Sequence, residues 1–167
     1  MAISKQEALA SIDREKELIC KASDEVWENP ETAFQEYRST EILCDLLEKE
    51  GFHVEKNLAG IATAFSGTYG HGKPVIGFLG EFDALSGLSQ KCGIAEKIPE
   101  VEEAPGHGCG HNLLGAGSVA AAIAVKEYLE KKERGEEPAY DSEMEALCRA
   151  LTGEPVSYTH LRAHETT

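Results

Sequence analysis

Cys109 and His111 are the residues whose types and spacing best suit chemistry, because a single glycine separates a thiol from an imidazole. In an extended or tightly turned loop, such a pair can direct both donors at one point. Thiolate with imidazole is a ligand combination that suits zinc and the neighbouring transition metals. The alternative is structural, since a free cysteine is often a small buried apolar side chain. Zinc usually takes three or four protein ligands, so a complete site needs further donors.

Glycines flank this pair at Gly106, Gly108 and Gly110. Without a Cβ atom they allow unusual backbone angles and a close approach of the backbone to a metal ion and its substrate. Asn112 is predicted to be the N-cap of the helix that follows, and a helix N-terminus favours negative charge nearby. The segment is therefore predicted to be a metal-binding turn that leads into a helix.

Glu81 and Asp83 are the next candidates, and they follow the nearly uninterrupted apolar run 74–79. Such a run is typical of a strand buried on both faces. Acidic residues at the carboxyl end of a buried strand lie where open α/β sheets place their functional sites. The two carboxylates could equally cap a turn, and the pattern alone leaves both roles open.

Hydrophobic periodicity predicts the elements that must position these residues. Asn29 and Pro30 are expected to end the first helix, and Gly51 is expected to cap the second. The irregular segment 86–105 is long for a loop, and loops of this length often cover a site. The predicted helices are 4–27, 39–50 and 113–134, and the predicted strands are 52–55, 61–65 and 74–79.

Composition narrows the class of protein. The chain has 167 residues, with 30 acidic against 16 basic side chains and a net charge of −14. This balance argues against nucleic acid and anionic membranes as partners. The charged N-terminal residues do not resemble a signal peptide, and no apolar run approaches the ~20 residues of a membrane helix. Five cysteines without a regular framework fit free thiols. We expect a soluble cytoplasmic protein.

Residues 115–120 also match the G-x-G-x-x-A pattern of dinucleotide-binding folds. That pattern is informative when a strand directly precedes it and an acidic ribose partner follows on a second strand. Neither is predicted here, so dinucleotide binding is kept as a weaker alternative.

Three motifs together resemble the metal-dependent amidohydrolases of aminoacylase/carboxypeptidase type, and the resemblance covers roughly residues 15–129. The wording of the second and third motifs is most similar to the p-aminobenzoyl-glutamate hydrolase branch of that family. The motifs are Val-Trp-Glu-Asn-Pro-Glu-Thr-Ala-Phe-Gln-Glu at 26–36, Gly-Glu-Phe-Asp-Ala-Leu at 80–85, and Gly-Cys-Gly-His-Asn at 108–112.

The resemblance implies an α/β fold, namely the N-terminal part of a metallopeptidase catalytic domain with helices packed on a mixed central sheet. It implies hydrolysis of N-acyl amino acid amide bonds by an enzyme with two divalent metal ions, zinc or manganese, and with homo- or hetero-oligomeric relatives. Cys109 and His111 match the family's metal ligands, and Asp83 matches the acidic residue that supports them. Glu81 lies where more distant relatives carry a metal-binding histidine.

The sequence departs from the family after residue 134. The Glu-Glu pair that supplies the general base is not matched, since Glu136 and Glu137 lie on a polar turn with no preceding strand. The later histidine ligands and the lid or dimerisation domain are also missing. Residues 156–167 read as a translated sequencing adapter, so His160 and His164 are discounted as a metal pair.

We therefore predict three segments: 1–134 as the N-terminal part of the catalytic domain, 135–155 as an unassigned polar segment, and 156–167 as a non-native tail. The expected function is that of an amidohydrolase fragment, inactive by itself. The alternative from another class is a non-catalytic metal-binding or interaction module.

Overall fold

The computed structural model describes residues 5–72 and 75–133, and the chain divides into two compact units. The larger unit spans residues 15–123, and the described part of the smaller unit comprises 5–14 and 124–133. The helices are α1 (Lys5–Arg14), α2 (Lys16–Glu28), α3 (Tyr37–Lys49) and α4 (His111–Glu133), and the strands are β1 (His53–Lys56) and β2 (Phe65–Thr68). The predicted tail and polar segment lie outside the described residues.

The predicted first helix is in fact two helices, which Glu15 separates. The backbone of Glu15 has φ −92° and ψ 7°, far from the helical ψ of about −42°, so the regular hydrogen-bond ladder is interrupted there. The surrounding residues include neither proline nor glycine, so no sequence signal marks this break. In the smaller unit, Arg14 at the end of α1 forms an ion pair with Glu127 of α4.

The predicted C-terminal ends of α2, before Pro30, and of α3, before Gly51, are confirmed within one or two residues. α2 ends where the side chain of Asn29 donates to the carbonyl oxygen of Glu25 at 2.7 Å. α3 ends in a Schellman arrangement. Its capping glycine has φ 82° and donates to Glu48, and the amide of Phe52 donates to the carbonyl of Leu47.

β1 and β2 form an antiparallel hairpin in which His53 pairs with Thr68 and Lys56 pairs with Phe65. The second strand, predicted at 61–65, begins only at Phe65. The reason is a closed loop between the strands. Asn57 and Ala59 adopt left-handed backbone angles, with φ of 61° and 53°. The amide of Leu58 donates to the carbonyl of Ala64, so these backbone groups are used within the loop.

The core of the larger unit lies between α2, α3, the hairpin and the first part of α4. Gly67 of β2 packs directly on α3, where an added Cβ atom would lie 2.9 Å from a methyl carbon of Leu47. The buried apolar cluster consists of Ala22, Val26, Ile42, Leu43, Leu46, Leu47, Phe52, Val119 and Ile123.

The predicted buried strand 74–79 is wrong for the described residues 75–79, which have no regular secondary structure. Val75 is 66% exposed and Leu79 is 91% exposed. A strand buried on both faces needs partners along its edges and layers on both faces. Among the described residues, the hairpin is the only sheet. The described chain therefore contains both helices and strands, in agreement with an α/β fragment, while the mixed central sheet remains a prediction.

The remaining connections agree with the sequence. Residues 86–105 are irregular, as predicted, and are held by internal hydrogen bonds such as the one from the amide of Ser89 to the carbonyl of Ala104, at 3.1 Å. α4 (His111–Glu133) agrees with the predicted helix 113–134 over the described residues 113–133 and begins two residues earlier, at His111. None of the helices in the described part of the chain has the length and apolar character needed to cross a membrane.

Candidate metal centre

Backbone hydrogen bonds bring the three sequence motifs together in the larger unit. The amide of Ala84 donates to the carbonyl oxygen of Glu31 at 2.7 Å. The next residue, Leu85, exchanges two hydrogen bonds with Gly106, each 3.0 Å long. The segment that carries Glu81 and Asp83 is therefore fixed between the first motif and the turn that leads to His111.

Glycine is required at two positions of this turn. A Cβ atom on Gly106 would lie 2.2 Å from the carbonyl oxygen of Leu88, so no side chain fits there. Gly110 has φ 85°, a conformation that other residues rarely adopt. Its amide donates to the carbonyl of His107 at 2.9 Å. Gly110 thus has the unusual backbone angle that was predicted, whereas a close approach of the backbone to a metal ion stays a prediction. The turn delivers His111 as the first residue of α4.

Three donor side chains meet at this point: Glu81, Asp83 and His111. Nδ1 of His111 lies 2.9 Å from Oδ1 of Asp83, and Nε2 lies 3.4 Å from Oε2 of Glu81. One donor atom from each residue lies within 4.8 Å of the others. The side chains of His111 and Asp83 are 18% and 21% exposed, whereas that of Glu81 is 66% exposed.

The contact with Asp83 sets the tautomer of His111. An ionised carboxylate only accepts hydrogen bonds, so Nδ1 carries the hydrogen and donates to Asp83. The lone pair of a neutral imidazole is then on Nε2, facing the carboxylate of Glu81. A carboxylate that orients a histidine in this way is typical of metal-binding histidines. The donor set therefore suits a divalent metal ion.

Cys109 lies outside this group of three and its side chain is exposed. It precedes the helix by two residues, on the turn closed by the amide of Gly110. The structure thus brings together His111 and Asp83 of the predicted set, and it adds Glu81. The role of Cys109 as a metal ligand stays a prediction.

The predicted N-cap role of Asn112 is wrong, because α4 begins one residue before it. Asn112 is only 5% exposed, and its side-chain amide donates to Oγ of Ser23 at 3.0 Å. A buried amide requires a partner, and α2 supplies one. The carbonyl of Gly110 accepts from the amides of Leu113 and Leu114 at the start of the helix.

His107 is a residue to which the sequence assigned no role. It is 3% exposed, and its Nε2–H donates to the carbonyl of Val26 at 3.1 Å. Its ring lies beside that of Trp27, with the ring centroids 6.1 Å apart. Burial lowers the pKa of His107, and the hydrogen bond to Val26 opposes this shift only in part. His107 therefore anchors the turn that precedes α4 to the end of α2 as a neutral side chain.

Comparison with known proteins supports the resemblance predicted from the motifs, although no family model matches the chain. The chain is 46% identical over 125 residues to a subunit of the p-aminobenzoyl-glutamate hydrolase of Escherichia coli, and the match covers 75% of this chain and 26% of that protein. It is 29% identical over 141 residues to the Xaa-Arg dipeptidase of Mus musculus, and 28% identical over 141 residues to that of Homo sapiens. The alignments cover 78% and 76% of this chain and 28% of each dipeptidase.

These similarities concern the class of protein first. The chain is similar to enzymes named as a hydrolase and as dipeptidases, which agrees with the amidohydrolase and peptidase class that the motifs predict. Within that class it is similar to the p-aminobenzoyl-glutamate hydrolase protein of Escherichia coli, as the wording of the motifs predicts. The chain spans about a quarter of the length of the curated relatives that it matches.

Proposed function

We propose that this chain is part of a metal-dependent amidohydrolase that cleaves the amide bond of an N-acyl amino acid, with p-aminobenzoyl-glutamate as the first substrate to test. The observation that carries the proposal is His111, held by Asp83 at 2.9 Å and presenting Nε2 towards a second carboxylate. The 46% identity to a protein named for that substrate supports the choice.

His111 would bind the metal ion through Nε2, and Cys109 would be a further ligand. Asp83 acts through His111, because its carboxylate keeps the proton on Nδ1 and fixes the orientation of the ring. A bound zinc or manganese ion supplies a Lewis acid for the amide carbonyl and lowers the pKa of a coordinated water molecule. His107 helps to keep the turn in place through its hydrogen bond to the carbonyl of Val26.

The relatives' names suggest two substrate classes. One names an aryl-acylated glutamate and the other names dipeptides that end in arginine. The higher identity supports the first class for this chain. Both named substrates contain an amide bond between an acyl group and the amino group of a C-terminal amino acid, so the two relatives would cleave the same type of bond.

The direct test is a hybrid enzyme in which the matched segment of this chain replaces the corresponding segment of the Escherichia coli protein. We expect metal-dependent release of glutamate from p-aminobenzoyl-glutamate, and loss of that release on His111→Ala. The exposed histidine variant His53→Ala is the matched control, since its side chain is 76% exposed on β1. A folded hybrid that hydrolyses the Xaa-Arg dipeptide and not p-aminobenzoyl-glutamate would overturn the substrate assignment.

The chain by itself is proposed to be inactive, because its sequence has no match to the family's general base. General-base catalysis alone contributes roughly 10²–10⁴-fold to a rate. Metal-dependent turnover by the purified chain would contradict this proposal. A chain that binds metal without turnover, combined with an inactive folded hybrid, would support the alternative of a non-catalytic metal-binding module.

A further inference from the structure

We propose that Glu81 is itself a metal ligand, which shares one divalent cation with Nε2 of His111 and does so independently of Cys109. This inference rests on the proposed function, since it assigns a donor to the same metal centre. It concerns a residue to which the sequence assigned no definite role.

The first argument is the chemistry of the pair. Asp83 accepts from Nδ1 of His111 at 2.9 Å, so a neutral His111 has only a lone pair at Nε2. Oε2 of Glu81 lies 3.4 Å from that nitrogen and is also an acceptor. Two acceptors that face each other at this distance repel unless a positive charge lies between them. A divalent cation bound by both atoms supplies that charge.

The second argument is the distance. An N–H···O hydrogen bond has its usual donor–acceptor distance at about 2.9–3.0 Å, as observed for the Asp83 contact. Two ligands of a tetrahedral zinc ion, with bonds of about 2.0–2.2 Å, lie about 3.4 Å apart. The observed separation of 3.4 Å between Nε2 and Oε2 matches the metal-bridged arrangement.

The third argument is the way in which the two side chains are held. The imidazole is mostly buried and fixed by Asp83, whereas the carboxylate of Glu81 is 66% exposed and open to an arriving ion. The backbone beside Glu81 is fixed too, because Oγ of Ser118 on α4 donates to the carbonyl of Leu79 at 3.0 Å. A rigid imidazole beside an accessible carboxylate is an arrangement that can capture a cation from solvent.

Isothermal titration of the full chain with Zn²⁺ and with Co²⁺ tests this inference, with the Co²⁺ absorption spectrum as a second readout. Glu81→Gln keeps the shape of the side chain and removes its charge. We expect it to weaken Zn²⁺ binding at least ten-fold and to change the Co²⁺ spectrum, both in the parent chain and in a Cys109→Ala background. Glu102→Gln, the same change at an exposed loop position outside the group of donors, is the matched control and should leave the dissociation constant within two-fold.

The outcomes separate this inference from the proposed function. If Glu81→Gln binds Zn²⁺ like the parent while His111→Ala does not bind, the role of Glu81 is overturned and the metal centre stands. If His111→Ala also binds like the parent, the metal centre that underlies both proposals is overturned. Thermal unfolding of each variant shows whether a loss of binding reflects a loss of fold.

Discussion

Glu31 caps α3 from outside the helix, and its replacement should measurably destabilise the chain. The N-cap residue of α3, Glu36, makes no capping hydrogen bond through its own side chain. The carboxylate of Glu31 takes that role, since it accepts from the amide of Arg38 at 2.9 Å and from the amide of Ser39 at 2.8 Å. It also accepts from Oγ of Ser39 at 2.9 Å.

The magnitude follows from what Glu31→Ala leaves behind. Ser39 is fully buried, so its amide would lose its partner with no water to replace it, at a cost of about 1–3 kcal/mol. The negative charge near the helix N-terminus contributes a further ~0.3–1 kcal/mol. We expect the free energy of unfolding to fall by about 1–4 kcal/mol. Glu31→Gln keeps one acceptor oxygen and should lie between the parent and Glu31→Ala.

Urea unfolding followed by far-UV circular dichroism measures this difference. Glu41→Ala is the matched control on the same helix. Glu41 pairs with Arg38 at 3.1 Å, and both side chains are more than half exposed. Such exposed pairs contribute little, so the control should cost about 0.5 kcal/mol or less. Equal unfolding midpoints for Glu31→Ala and Glu41→Ala would refute the capping role.

Three further predictions concern packing, pH and thiol chemistry. Gly115→Ala should lower the free energy of unfolding by about 1–2 kcal/mol, because the added Cβ atom would lie 2.9 Å from a neighbouring side chain. Gly117→Ala, with open space around it, should raise that free energy by about 0.5–1 kcal/mol. Urea unfolding measures both, and equal changes in the two variants would contradict this description of the packing. Burial lowers the pKa of His107 in the folded chain below its ordinary 6.5. As the pH falls below 6.5, the unfolded chain therefore binds a proton at this histidine before the folded chain does, and the free energy of unfolding should decrease. In His107→Gln this acid-side slope of the urea midpoint against pH should flatten, and an unchanged slope would assign it to other groups. Zn²⁺ should slow the alkylation of Cys109 about ten-fold and should not affect that of Cys92, which is also exposed. Mass spectrometry measures both rates, and equal protection of the two thiols would count against Cys109 as a ligand.

Local signals explain which helix ends could be predicted. Pro30 and Gly51 act on the residues next to them, so the ends of α2 and α3 follow from the sequence almost directly. The break at Glu15 has no such signal, since every neighbour is an ordinary helix former. Asparagine is a common N-cap residue, but the side-chain amide of Asn112 donates to Oγ of Ser23 instead. That partner comes from a distant part of the chain.

The apolar run 75–79 shows a different limit. Hydrophobic residues in sequence predict that a segment would gain by burial, and they do not specify what covers it. In the described chain, Leu79 contributes its carbonyl oxygen to Ser118, while its side chain is 91% exposed. The sequence therefore predicts the apolar character of this segment correctly and its secondary structure wrongly.

The candidate site was predictable in part because its residues lie in three motifs of fixed order. The motifs named Asp83 and His111, which are 28 positions apart and in contact at 2.9 Å. They did not reveal the role of His107, because its partner, the carbonyl of Val26, is 81 positions away in the sequence. Its burial beside Trp27 depends on where α2 ends.

The geometry of the donors follows from backbone pairing more than from side-chain contacts. Ala84 pairs in parallel with Thr32, and the next residue, Leu85, pairs in antiparallel fashion with Gly106. One short segment is thus fixed on both sides immediately after Asp83. Five residues beyond Gly106, a tight turn delivers His111. Because the main chain sets the separation of Asp83 and His111, their hydrogen bond need not hold the fold together. The carboxylate can serve instead to fix the proton of the imidazole on Nδ1, and Nε2 then faces the carboxylate of Glu81.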